Sequence, residues 1–210
     1  VFEVGAFARA VEVLAGFAAP FGLAELSVGG GLGVPYVEGE SAPSISEWAA
    51  GIRAVCEASG VTASVSAEPG RAIVAAAAVT LYTVGTIKDL PGIRTYVAVD
   101  GGMSDNPRPV LYGSGYETFL PRAPAADRSR PVRVVGKHCE SGDLLVREGW
   151  VPGDLMVGDV LATPVTGAYG HAMGSNYNHV LRPAVVFVAD GDAREVVRRE
   201  TFEDLVRREA

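Results

Sequence analysis

The stretch Glu25-Leu26-Ser27-Val28-Gly29-Gly30-Gly31-Leu32-Gly33 joins a strand-like run to a loop with four glycines. Because glycine has no Cβ, the backbone N–H groups of such a loop can approach an anion closely. A tight turn would also explain the glycines, so this run alone is only a weak indication of a binding loop. The residues on either side of it decide between the two interpretations.

A helix and a second strand follow this stretch. Ser44-Ile45-Ser46-Glu47 predicts a capping box that opens a helix through Ser59. The next strand is predicted over Thr62–Ala67, and it runs into Glu68-Pro69-Gly70-Arg71. Strand, helix and strand form a βαβ unit, and its right-handed crossover places both loops at the carboxyl edge of a parallel sheet. In a (β/α)8 barrel that edge carries the active site, and its last loops often bind phosphate.

Two further predictions concern this first part of the chain. Apolar residues at helical spacing predict a helix over Phe2–Ala19. Cys56 shares a helix face with apolar residues, so we expect it to lie in the core. Because a helix is under way at the second residue and no signal-peptide pattern is present, we expect the chain to be cut from a longer one at its N-terminal side.

After Arg71 the pattern changes to short strands separated by glycine, proline and aspartate turns. We expect this half to be mostly antiparallel, forming a β-barrel or sandwich, with the domain boundary close to Ile73. A helix is expected only near the end, over Phe202–Arg207, with Thr201 as its cap. The predicted strands are Ala72–Ile87, Thr95–Asp100, Val132–Val135, Leu144–Arg147, Val160–Thr163, Val185–Ala189 and Glu195–Arg198.

Composition narrows the class of protein. The 210 residues are 48% hydrophobic and carry a formal net charge of −7, so a core can form and nucleic acid is not an expected partner. Cys56 and Cys139 are far apart, which fits a reducing, cytoplasmic setting. No apolar run looks long and uninterrupted enough to span a bilayer, so no membrane partner is expected. The three histidines lack metal-ligand spacing, and we assign no metal.

Chemically active side chains cluster in loops of the second half. Gly136-Lys137-His138-Cys139-Glu140-Ser141-Gly142-Asp143 holds a thiol beside a carboxylate, between two predicted strands. Arg108, Tyr112 and Tyr169 lie in two further loops. Taken singly, each has a structural interpretation: a polar hairpin with a half-buried thiol, a surface ion pair, or core aromatics with a satisfied hydroxyl.

Taken together, the loops resemble those of the diaminopimelate decarboxylase family, within the barrel-type decarboxylases that use pyridoxal 5′-phosphate (PLP). Glu140 is the most telling residue, because ornithine enzymes of this group tend to carry an aspartate after the cysteine. The matching motifs, in the family's order, are Gly29 to Tyr36, Glu68-Pro69-Gly70-Arg71, Asp100 to Arg108, Cys139-Glu140-Ser141-Gly142-Asp143 and Thr166-Gly167-Ala168-Tyr169.

The resemblance implies a fold and a cofactor. It implies the end of an alanine-racemase-like (β/α)8 barrel over residues 1–73, followed by a mostly antiparallel β domain over residues 74–210. It also implies decarboxylation of meso-2,6-diaminopimelate to L-lysine and CO2, the last step of lysine biosynthesis, by a homodimer with shared active sites. The implied PLP-binding residues are Gly29, Gly30, Gly31, Glu68, Pro69, Gly70, Arg71 and Tyr169.

The resemblance also implies roles for single side chains. Glu68 would face the pyridine nitrogen and keep it protonated. Cys139 would return a proton to the reacting carbon, and its loop would reach the active site of the neighbouring subunit. Glu140 would bind the amino group at the distal end of the substrate. The implied substrate-binding residues are Arg71, Arg108, Tyr112, Glu140 and Tyr169.

One departure from the family leaves alternatives open. The family attaches PLP to a lysine early in the barrel, whereas this chain has only Lys88 and Lys137, neither in a matching motif. We therefore expect residues 1–210 to be inactive alone and to fold poorly alone. One alternative is a truncated, non-catalytic relative that pairs with full-length subunits. Another is a related PLP decarboxylase acting on a different amino acid.

Overall fold

The computed structural model describes residues 1–209 of the chain. The chain forms two compact units, Val1–Ala78 and a second one that begins at Val79. The first unit is built on a two-stranded parallel sheet with helices before, between and after its strands. Its elements are α1 (Val4–Ala18), β1 (Glu25–Gly30), α2 (Ile45–Ala58), β2 (Ser64–Glu68) and α3 (Gly70–Val74).

The βαβ unit predicted from the sequence is confirmed in this first unit. β1 and β2 pair in parallel, with Glu25 opposite Ser64 and Gly30 opposite Glu68. The predicted capping box opens α2, because Ser44 Oγ accepts a hydrogen bond from Glu47 N at 3.1 Å and the Glu47 carboxylate accepts one from Ser44 N at 2.8 Å. The helix therefore starts at the predicted place, with its first backbone donors satisfied.

Helices α1 and α2 enclose the core of the first unit. Phe7 packs edge-to-face on Trp48, with ring centroids 5.5 Å apart. Cys56 is 5% exposed, which confirms its predicted core position. The buried core cluster consists of Phe7, Val11, Leu32, Trp48, Ile52 and Cys56.

The opposite face of α1 is apolar and exposed, as at Val13 and Phe17. The helical stretch Val4–Phe21 is long enough and apolar enough to cross a membrane, judged by length and composition alone. The expectation that the chain contains no such run is therefore wrong by these two criteria. Apolar helices in the cores of water-soluble proteins have the same length and composition, and the buried face of α1 packs on α2 through Phe7 and Trp48.

The second unit is built on a five-stranded sheet in the order β6-β5-β4-β3-β7. Only β4 and β5 pair in parallel within it, so the predicted mostly antiparallel arrangement is confirmed. A separate antiparallel hairpin, β8–β9, follows. The strands are β3 (Val79–Leu90), β4 (Arg94–Val99), β5 (Arg130–Val135), β6 (Leu144–Val151), β7 (Val160–Pro164), β8 (Val185–Ala189) and β9 (Asp192–Val197).

The described part of the second unit also contains three short α-helices, α4 (Arg108–Tyr112), α5 (Gly170–Met173) and α6 (Phe202–Val206), and a turn of 3-10 helix at Tyr177–His179. The predicted helix at the end is confirmed as α6. Helices α4 and α5 went unpredicted, because four or five residues are too few to show a helical period.

One predicted strand begins later than expected. The strand predicted from Ala72 starts at Val79, because Gly70–Val74 form α3 and Ala75–Ala77 form a turn of 3-10 helix. Alanine is the strongest helix former, and the alanine run was mistaken for a buried strand because it is apolar.

Candidate active site

Two loops meet at the carboxyl edge of the parallel pair in the first unit. Gly30 lies opposite Glu68, and a Cβ built on Gly30 would be 2.0 Å from the Glu68 carbonyl oxygen. Only glycine fits this approach. Gly29 and Gly31 have φ values of +70° and +94°, a region that glycine enters without strain. Gly30 is thus required by its close packing on the end of β2, and Gly29 and Gly31 are favoured by their positive φ.

The side chains at this edge include the carboxylate of Glu68 and the guanidinium of Arg71. Ser27 Oγ donates a hydrogen bond to Glu68 Oε1 at 3.3 Å and accepts one from Gly29 N at the same distance. Glu68 is exposed, and Arg71 is half-buried in α3. Backbone amides without Cβ atoms, a guanidinium and an accessible carboxylate match the phosphate and the pyridine nitrogen of PLP. The residues present therefore fit this cofactor.

A second group forms around Arg108, which is 6% exposed at the start of α4. Tyr112 lies four residues later, one helical turn away, and its ring centroid is 5.4 Å from the guanidinium carbon. The ring centroid of Tyr169 is 5.7 Å from the same atom. Arg108 Nη2 also donates to Ser114 Oγ at 3.2 Å. The second unit thus brings together three of the predicted substrate-binding residues, since both rings hold the guanidinium by cation–π contact.

The loop that carries Tyr169 has an unusual backbone. Tyr169 has a φ of +68°, and Val165, which directly precedes the Thr166–Tyr169 motif, has a φ of +62°. Positive φ in a β-branched residue is a genuine outlier, and such strained positions cluster at functional sites. Tyr169, for which the resemblance implies contact with both cofactor and substrate, also has a positive φ.

The third group lies on the loop between β5 and β6. Cys139 and Glu140 are both exposed at its tip. The Tyr177 hydroxyl donates a short hydrogen bond to Glu140 Oε1. This bond, with the negative charge of Glu140, raises the pKa of Tyr177 above its usual range. The phenol therefore remains a hydrogen-bond donor to the carboxylate at neutral pH.

Four residues of the second unit received no role from the sequence. The loop motifs quoted above already contained His138, Ser104 and Asp143 but not Tyr177, and nothing in the spacing shows which side chains meet across loops. Tyr177 contacts Glu140, and the imidazole of His138 lies 5.4 Å from the Tyr177 ring. Ser104 and Asp143 are both buried, and each bonds to His138 at the base of the same loop.

Two family descriptions match this chain. Residues 2–75 match the pyridoxal binding domain of pyridoxal-dependent decarboxylases. Residues 42–167 match the C-terminal sheet domain of the same family. The glycine loop of the first unit and the loops of the second unit indicated the same class, a PLP-dependent decarboxylase. The chain belongs to the family of pyridoxal-dependent decarboxylases.

The similar proteins within that family share a more specific name. The diaminopimelate decarboxylase of Actinosynnema pretiosum subsp. auranticum is 49% identical over 217 residues, which cover 100% of this chain and 49% of that protein. The crystal structure of the diaminopimelate decarboxylase of M. jannaschii has a TM-score of 0.89 at 28% identity and is covered to 49%. That of the Helicobacter pylori enzyme complexed with L-lysine has a TM-score of 0.86 at 31% identity and is covered to 51%. This chain thus spans about half the length of these relatives.

Proposed function

We propose that this chain is the C-terminal half of a diaminopimelate decarboxylase, which converts meso-2,6-diaminopimelate to L-lysine and CO2 in the cytoplasm. The observation that carries the proposal is the buried Arg108 guanidinium, held against Tyr112 and Tyr169 in the unit that also presents Cys139 and Glu140. A distal amino-acid end carries one carboxylate and one ammonium group, and it needs a cation and an anion to bind it.

The first unit would hold the cofactor. Gly29 to Gly31, with Gly70 and Arg71, would bind the phosphate of PLP, and Glu68 would face its pyridine nitrogen next to Pro69. Tyr169 of the second unit would also contact it. When bound, PLP supplies an electron sink for the electron pair left by the departing CO2.

The second unit would bind and protonate the substrate. Arg108 and Tyr112, with Arg71 of the first unit, would bind the distal carboxylate, while Glu140 would accept hydrogen bonds from the distal ammonium. Cys139 would deliver a proton to the reacting carbon after CO2 leaves. Tyr177 leaves the second oxygen of Glu140 for the substrate, because its hydroxyl bonds Oε1. These roles are the ones that a diaminopimelate decarboxylase needs, and the similar enzymes carry that name. The Helicobacter pylori structure contains L-lysine, the product of the proposed reaction.

The proposal predicts that the complete enzyme prefers meso-diaminopimelate to ornithine and lysine, and kinetics with each substrate measure this preference. In the complete enzyme, kcat/KM for meso-diaminopimelate should exceed that for ornithine or lysine by about 10⁴-fold, since those substrates have no distal carboxylate for Arg108 to bind. Arg108→Met should reduce this ratio by at least about tenfold. Arg130→Met is the matched control, because Arg130 at the start of β5 pairs with Asp89 near the end of β3 and should not affect the ratio.

Loading with PLP is checked in the same preparation. Borohydride fixes PLP to its lysine, and peptide mapping should find the label on neither Lys88 nor Lys137. Equal turnover of ornithine would contradict the substrate assignment and would favour a related decarboxylase. A preparation that carries no PLP on any lysine would favour the non-catalytic relative.

A further inference from the structure

The loop with Cys139 and Glu140 is exposed at its tip and held by buried polar groups at its base. Asp143 is 3% exposed, and its carboxylate accepts hydrogen bonds from two backbone amides. Oδ1 accepts from Met103 N at 2.6 Å and Oδ2 from His138 N at 2.9 Å. Met103 belongs to the loop that leads to Arg108, and His138 precedes Cys139. One carboxylate therefore joins the loop that leads to Arg108 to the loop that carries Cys139 and Glu140.

A second contact joins the same loops. His138 Nε2 lies 2.9 Å from Ser104 Oγ, and both residues are buried. Lys137 N also donates to Gly101 O at 3.0 Å. The loop that follows α5 is attached at the same place, because its Ser175 N donates to Ser104 O at 2.9 Å. We call Asp143, His138 and Ser104, with the Met103 amide, the loop clamp.

The surrounding backbone is shaped to admit this carboxylate. A Cβ built on Gly136 would be 2.1 Å from Asp143 Oδ2, and one built on Gly102 would be 2.6 Å from the same atom. Both positions therefore require glycine while Asp143 keeps its place. Within the loop, Gly136 N donates to Asp143 O at 2.9 Å and Asp143 N to Glu140 O at 3.1 Å. Hydrogen bonds thus hold the base of the Gly136–Asp143 loop together, while Cys139 and Glu140 at its tip are exposed.

We propose that the loop clamp, and Asp143 above all, positions Cys139 and Glu140 for the reaction. The inference rests on the proposed function, because it assigns Asp143 a share in placing the proton donor and the acceptor of the distal ammonium. Asp143 is a positioning residue, acting through His138 N and Met103 N. A buried carboxylate that accepts two amide hydrogen bonds costs much more to disturb than an exposed one.

The test is Asp143→Asn in the PLP-loaded, complete enzyme, with rates expressed per bound PLP. The amide can accept only one of the two hydrogen bonds, so kcat should fall and KM for meso-diaminopimelate should rise, lowering kcat/KM by about tenfold to a hundredfold. Asp159→Asn is the matched control. Asp159 also holds a turn through a backbone amide, Met156 N at 2.9 Å, and it pairs with Arg122. The control should lose stability with kcat and KM per PLP unchanged.

The outcomes separate this inference from the proposed function. If the wild type does not decarboxylate meso-diaminopimelate, the proposed function fails. If it does, and Asp143→Asn has the kcat and KM of wild type or Asp159→Asn loses as much, the clamp has no positioning role. Hydrogen exchange gives a readout without turnover: the amides of Met103 and His138 should exchange at least about tenfold faster in Asp143→Asn alone. If that variant does not fold, Ser104→Ala should lower kcat/KM more weakly, and wild-type kinetics in it would overturn the proposal.

Discussion

The hydroxyl of Tyr177 gives the Glu140 carboxylate a contact that the sequence analysis did not predict. If it orients Glu140 toward the distal ammonium, Tyr177→Phe should raise KM for meso-diaminopimelate about tenfold, the usual effect of a hydrogen bond to a charged group. Steady-state kinetics at saturating PLP measure this change. Tyr82→Phe is the matched control, because the buried Tyr82 hydroxyl has no hydrogen-bond partner among the described residues.

The pH dependence of this effect has a definite sign. The Glu140 hydrogen bond raises the pKa of Tyr177 above its usual value of 10.0. A raised pKa means that the neutral phenol and its bond persist below pH 10 and are lost only as the pH rises through the folded-state pKa. The KM ratio of Tyr177→Phe to wild type should therefore stay constant from about pH 7 to pH 9. A ratio that changes steadily over this range would contradict the assigned bond.

Among the elements, the parallel pair β1–β2 makes the most direct link between backbone packing and the cofactor site. Gly30→Ala would place a methyl group 2.0 Å from the Glu68 carbonyl oxygen, so the two strand ends must separate. We expect a loss of about 1–3 kcal/mol in the free energy of unfolding. PLP affinity, measured by titration of the apoenzyme, should fall as well, because Glu68 and the glycine loop move apart.

Gly16→Ala is the control for this variant. A Cβ on Gly16 meets nothing within 4 Å, and the residue lies inside α1, where alanine is favoured by about 0.5–1 kcal/mol. It should leave PLP affinity unchanged and should not lower the thermal midpoint. Unchanged PLP affinity in Gly30→Ala would show that this close approach does not shape the cofactor site.

The same element shows how far sequence reasoning reaches. Hydrophobic periodicity, the Ser44 capping box and the glycine loops predicted the βαβ unit, because each depends on residues close in sequence. Contacts across loops were out of reach. The pairing of Asp143 with Met103 spans 40 residues, and that of Tyr177 with Glu140 spans 37. The short helix α4 was also missed, although the spacing of four between Arg108 and Tyr112 is what brings them together.

At the scale of the whole molecule, each unit carries a different part of the proposed chemistry. The first unit presents the glycine edge with Glu68 and Arg71, and the second presents Arg108, Cys139 and Glu140. The Arg108 group and the Cys139 loop lie in the same unit, and Ser104, which leads to Arg108, is joined to His138 by the loop clamp. A substitution at the base of one loop should therefore affect groups on another loop. A single folded unit thus fixes the loops of Arg108, Cys139 and Glu140 relative to one another.

The proposed homodimer with shared sites predicts complementation between inactive subunits. If the Cys139 loop serves the neighbouring active site, a mixed dimer of Cys139→Ala and Arg71→Ala subunits has one site with both changes and one with neither. Random mixing then gives about half mixed dimers and restores about a quarter of the wild-type activity. The measurement is the decarboxylation rate after subunit exchange of the two separately inactive variants. Mixing Cys139→Ala with Glu140→Ala is the control, since both lie on the same loop and every mixed site keeps one defect. No recovery in the first mixture, with exchange verified by differently tagged subunits, would place each site within one chain.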